Sequence, residues 1–129
     1  MGNGLGQLLG KEVLEADTQK GWIGVDFDGT LVEYYGEENL ENIGDIIPAM
    51  YERIVKWLSE GKEVRIFTAR AADPIQRKRV EDFLAAHALG GLMVTNLKDP
   101  GMIELWDDRC IPVVPNKGVP LIEQGAEHG

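Results

Sequence analysis

Short apolar runs alternate along this chain with segments whose apolar residues recur at helical spacing, and that order leaves few folds open. Trp22-Ile23-Gly24-Val25-Asp26-Phe27 is an apolar run ending in acid and glycine, and reads as a buried strand meeting a turn. Ile47, Met50, Tyr51, Ile54, Val55 and Leu58 follow at spacings of 3, 4, 7, 8 and 11, which is one face of a helix. Pro48 suits its first turn and Gly61 the position beyond its end. Val64-Arg65-Ile66-Phe67 is the next strand. Asp73 and Pro74 mark a second helix start, with the Asp73 side chain free to cap backbone N–H groups. Val80, Phe83, Leu84 and His87 continue that helix on one face. Residues 92–94, 103–107 and 111–114 are further strand candidates, and residues 33–46, rich in Glu, Gly and Asn, read as a loop or flap. Strand, helix, strand, helix, strand predicts a three-layer α/β fold with helices covering a mostly parallel sheet.

The chain has 129 residues, enough for one domain with its own core. Its 43% hydrophobic and 27% charged residues fit a globular protein, and no apolar run is long enough to cross a bilayer. A net charge of −9 makes nucleic acid an unlikely bulk partner, because coating a phosphate backbone needs clustered Lys and Arg. The single cysteine, Cys110, excludes an internal disulfide and suits a reducing, cytoplasmic compartment. It lies in the apolar stretch 110–114 and reads as a small buried hydrophobe rather than a thiol nucleophile, for which only His87 and His128 are available as bases. His87, on an apolar helix face, reads as a core or boundary residue. The N-terminus lacks the basic and apolar regions of a secretory signal, and Gly6 breaks a myristoylation pattern. The expected organisation is an extension over 1–20, flexible or with a short helix over 7–20, then a core domain over 21–115 and a tail over 116–129. No repeat or linker divides the chain.

Ligands of such sheets bind beyond the carboxyl ends of the strands, and the chain's polar clusters fall there. In Asp26-Phe27-Asp28-Gly29-Thr30, two carboxylates two residues apart leave a strand end pointing the same way. Gly29 allows a sharp turn whose N–H groups can face an anion. Such a pair can divide labour, one carboxylate as nucleophile or metal ligand and the other carrying a proton, unless it is merely an acidic turn. Thr68 closes the second strand, where a hydroxyl serves equally as donor to a phosphoryl oxygen or as a strand-end cap. Lys98, after the third strand, can neutralise a phosphate or remain solvated. Asp107-Asp108 is a second acidic strand end, and oxygen ligands converging from two strand ends suit Mg²⁺. Arg70 and Arg109 each follow a cluster directly and can touch the remainder of a substrate or form salt bridges.

Taken together, Asp26-Phe27-Asp28-Gly29-Thr30-Leu31, Thr68, Lys98 and Asp107-Asp108 resemble, in order and strand context, the four motifs of the haloacid dehalogenase superfamily of phosphohydrolases. The resemblance spans roughly residues 21–115 and implies a Rossmann-like core. It implies that Asp26 attacks phosphorus to give an aspartyl phosphate, while Asp28 protonates the leaving group and then activates water. It implies Mg²⁺ held by the side chains of Asp26 and Asp107 and the backbone carbonyl of Asp28, with Asp108 a ligand through water or an orienter of Lys98. Thr68 and Lys98 would bind the phosphoryl group. The spacing departs from many members in placing Lys98 only nine residues before Asp107, where a helix usually intervenes. Residues 31–46 and 71–91 are also too few for a cap domain, so the expected type is capless. An open site of that kind admits a bulky phosphorylated substrate, or is covered by a neighbouring subunit in a homo-oligomer. The expected activity is Mg²⁺-dependent hydrolysis of phosphate monoesters. Its rivals are a phosphate- or metal-binding regulatory module of the same fold and an end-processing phosphatase of nucleic acid. Against the second stands the charge, since only Arg77-Lys78-Arg79 is a basic cluster, and it reads as a solvated helix face.

Overall fold

The computed structural model describes residues 21–36 and 42–122. The helix expected over 7–20, His128, the centre of the 33–46 loop and the end of the tail lie outside them. In chain order the elements are β1 (Trp22–Val25), α1 (Pro48–Ser59), β2 (Glu63–Phe67), a 3₁₀ turn (Ala69–Ala72), α2 (Pro74–Ala86), β3 (Met93–Thr95) and β4 (Met102–Trp106). The four strands form one sheet in the order β3-β2-β1-β4, and every neighbouring pair is parallel.

The alternation of side chains along each strand decides which face the helices cover. Ile23, Val25, Val64, Ile66 and Val94 share one face and pack with Met50 and Ile54 of α1 and Val80 and Leu84 of α2. Both α-helices therefore lie on the same side, as expected when two successive right-handed crossovers step in one direction. This corrects the three-layer expectation: the described residues make two layers. The opposite face carries Trp22, Gly24 and Arg65, and the segment 96–101 crosses it. Asp99 on that segment accepts from Trp22 Nε1 at 2.8 Å and faces Arg65 Nη1 at 3.6 Å. The Arg65 guanidinium in turn lies 4.4 Å from the centre of the Trp22 ring.

Chain length explains why no helix forms between β3 and β4. Crossing from one edge of the sheet to the other covers three strand spacings, about 14 Å at about 4.8 Å each. Six extended residues reach about 20 Å, whereas the same six in a helix would rise only about 9 Å. The connection must run extended.

The helix ends follow their local chemistry. Pro48 opens α1 with the fixed φ of a first-turn residue. At its other end Gly61 takes φ +81°, Gly61 N–H donates to Leu58 O and Lys62 N–H to Trp57 O, so a left-handed residue closes the last turn. The buried stripe of α1 runs through Met50 and Ile54, while Val55 and Leu58, expected on that face, are 45% and 39% exposed. Asp73 caps α2 by accepting from Ile75 N at 3.0 Å, as its sequence predicts. His87 ends α2 with its ring against Phe83 and is part-buried there, in keeping with a boundary role.

Two expectations fail beyond β4. Cys110 is exposed, not buried, and residues 111–114 form no strand. Pro112 and Pro115 deprive that stretch of ladder donors. It turns back on itself instead, with Val114 N–H donating to Val119 O and Leu121 N–H to Pro112 O.

Candidate active site

The chain runs from β1 outward to β2 and β3, then returns to place β4 on the other side of β1. The carboxyl ends of β1 and β4 thus flank the point where strand order reverses, where crevices form in sheets of this kind. Asp26 N–H still donates to Trp106 O at 2.9 Å, so the ladder between the two strands reaches the site itself. Phe27 then turns inward, is fully buried, and packs edge-on against Phe83 at 5.6 Å. Its burial sends Asp26 and Asp28 outward to the rim.

The turn that follows is tight. Leu31 N–H and Val32 N–H both donate to Phe27 O, and Gly29 N–H donates to Val32 O at 2.7 Å. Gly29 has φ +89°, and a Cβ there would stand 2.6 Å from Asp108 Oδ2. Glycine is required twice at this position, by the backbone and by the close approach of the second acidic strand end. Thr30 joins the two ends. Its hydroxyl accepts from Asp108 N–H at 3.1 Å and lies 3.4 Å from Asp26 Oδ2 and 3.3 Å from Asp108 Oδ1. Thr30 stands in the first motif without an expected role, and its position four residues after Asp26 was the available signal.

Asp26, Asp107 and Asp108 each offer a carboxylate oxygen, and these oxygens lie within 4.8 Å of one another. The group can hold a metal ion. The Asp28 side chain is outside this group, because it faces Arg70. Burial, and next the Asp107 carboxylate, push the Asp26 carboxyl up to about 7. Nearby negative charge of this kind is relieved by a bound cation.

A cavity of about 330 Å³ opens beside the acidic group, lined by Asp26, Asp28, Thr68, Arg70, Asp107 and Arg109. Tyr34 and Gln76, which the sequence did not single out, also line it. Gln76 stands three residues after the Asp73 cap, a spacing that usually reads as helix capping. Its amide oxygen instead accepts from Arg70 Nη1 at 2.9 Å. Thr68 is buried and its Oγ1 accepts from Arg70 N–H at 3.2 Å. That bond makes it a cap, while its own hydroxyl proton stays available to the cavity.

Of the two roles open to Arg70, substrate contact or a salt bridge, the structure shows the salt bridge, to Asp28, Nε to Oδ2 at 2.7 Å. Arg109 sits exposed at the cavity wall, its N–H donating to Asp107 Oδ1 at 2.8 Å. Lys98 is not among the residues that line the cavity. It is exposed on the extended crossing segment. Without a helix after β3, the chain leaves the rim at once and commits Asp99 to the opposite face. Compared with family models, curated proteins and solved structures, the chain matches none.

Proposed function

We propose that this chain is a Mg²⁺-dependent phosphohydrolase of the haloacid dehalogenase type that cleaves phosphate monoesters through Asp26. The observation carrying the reading is the convergence of Asp26, Asp107 and Asp108 oxygens within 4.8 Å beside a cavity that Thr68 also lines. The charge balance supports it. Four aspartates line the cavity, one of its two arginines is committed to Asp28, and the expected lysine is not part of the lining. A phosphate dianion meets repulsion there unless a divalent cation offsets it. Bound between Asp26, Asp107 and Asp108, Mg²⁺ would neutralise charge on the transferring phosphoryl group and lower the proton affinity of Asp26.

In this reading Asp26 attacks phosphorus with a carboxylate oxygen, and the ester oxygen departs as an alcohol. Asp28 gives the departing oxygen its proton and takes one from the water that then hydrolyses the aspartyl phosphate. The Thr68 hydroxyl donates to a phosphoryl oxygen, and Arg109 supplies a cation at the cavity wall. Thr30 holds Asp108 and Asp26 in register.

The test is turnover of an aryl phosphate by the full chain. Activity should vanish in excess chelator and return with Mg²⁺, and rapid-quench mass spectrometry should find a phosphoryl adduct on Asp26. Full activity in chelator, or an adduct on another residue, would overturn the reading.

A further inference from the structure

Arg70 is only 5% exposed, an unusual environment for an arginine, and its surroundings account for it. Nε and Nη2 donate to the two oxygens of Asp28 at 2.7 and 2.9 Å, the paired geometry that a planar guanidinium offers a carboxylate. Nη2 also donates to the carbonyl of Asn42 at 3.1 Å, and Nη1 to Gln76 Oε1 at 2.9 Å. The guanidinium carbon lies 5.8 Å from the centre of the Phe27 ring. The group is therefore held from the turn after β1, the loop before α1 and the first turn of α2 at once.

Among the described residues, Asp28 has no comparable anchor besides Arg70. It follows the strand end on a turn, and its side chain is still 21% exposed. A carboxylate so placed can rotate, and a reacting group misplaced by about 1 Å loses on the order of 10²-fold in rate.

We propose that Arg70 is a positioning residue: it acts on the reaction through Asp28, fixing the plane and reach of that carboxylate at the cavity wall, and does not itself hold the substrate. This rests on the phosphohydrolase reading of Asp28. Gln76 and the Asn42 carbonyl are its own supports, so the orientation of Asp28 is set by three segments that otherwise share no chemistry.

A double-mutant cycle on the full chain tests it, with Arg70→Gln, Asp28→Asn and the pair assayed on an alkyl phosphate with Mg²⁺. Arg70→Gln should lower kcat by about 10²-fold and leave KM within about threefold. In the Asp28→Asn background it should cost nothing more. A raised KM with kcat retained would make Arg70 a substrate ligand and overturn the proposal, as would additive losses. Should Arg70→Gln not fold, Gln76→Ala keeps the ion pair and loosens one support. It should lower kcat several-fold in the wild-type background and not at all beside Asp28→Asn.

A second readout needs neither metal nor substrate. In metal-free protein labelled with ¹⁵N-arginine, the Arg70 Nε–H should give a slowly exchanging signal that Asp28→Asn abolishes. Wild-type protein that turns over no phosphate ester overturns the phosphohydrolase reading. Active protein whose Arg70 Nε–H exchanges like free arginine overturns the positioning role alone.

Discussion

Asp26 and Asp28 leave one turn but meet different neighbours, a carboxylate cluster and a guanidinium, so neutralising each should fail differently. Asp26→Asn removes the attacking oxygen, and rapid-quench mass spectrometry should find no phosphoenzyme. On the proposed mechanism Asp28→Asn keeps the nucleophile and loses the group that activates water, so with an aryl phosphate it should accumulate phosphoenzyme. General acid–base help is worth about 10²–10⁴-fold, so alkyl phosphates should suffer most. Asp26 also predicts a pH dependence for the metal-free protein. Between its ordinary 3.8 and about 7, the folded state keeps a proton that the unfolded state has released. Stability from this group therefore falls as pH rises through that window and stays lower above it. Asp26→Asn should raise Tm in chelator at pH 7.5, and the gain should shrink toward pH 4. A gain of equal size at both pH values would contradict this. Spacing made Asp26, Asp107 and Thr68 legible in the sequence, because each closes an apolar run at a strand end. The Arg70–Asp28 pair was hidden, since it joins residues 42 positions apart and nothing local marks one arginine as buried.

At the scale of elements, the end of α2 shows how far local rules reach. Leu89 N–H donates to Leu84 O at 2.8 Å and Ala88 N–H to Ala85 O, the same closure that ends α1, yet Ala88 occupies the left-handed position with φ 64°. A Cβ there costs about 1 kcal/mol against glycine. Ala88→Gly should thus raise the unfolding free energy by about 0.5–1 kcal/mol in a urea titration, whereas Gly61→Ala, at φ +81°, should lower it similarly. Both helices and all four described strands could be placed from period and punctuation. The stretch 111–114 was misread because apolar composition alone cannot say whether a neighbouring strand exists to pair with. The extended path after Lys98 was hidden for a related reason, since the direction taken by those residues depended on how far away β4 lay.

For the whole molecule, the two-layer arrangement came out differently from the sequence expectation because periodicity shows that a helix is amphipathic, not which face of a sheet it meets. No helix among the described residues is long and apolar enough to cross a membrane. The cavity opens at the rim, and the described parts of 31–46 and 71–91 build no cap over it. On the phosphohydrolase reading, either bulky phosphorylated substrates should enter, or a second copy should cover the Asp26 rim. Light scattering combined with turnover of a phosphopeptide and of small sugar phosphates separates these outcomes. A monomer that accepts only the small esters would contradict both.

The acidic group is stitched together from β1 and β4, the first and last strands described, and β4 is bonded within the described sheet on one side only. During synthesis Asp26 emerges long before Asp107 and Asp108. A chain that has folded only as far as β3 carries just one of the three carboxylates of this group. On the phosphohydrolase reading, chemistry at Asp26 would begin only once β4 has docked.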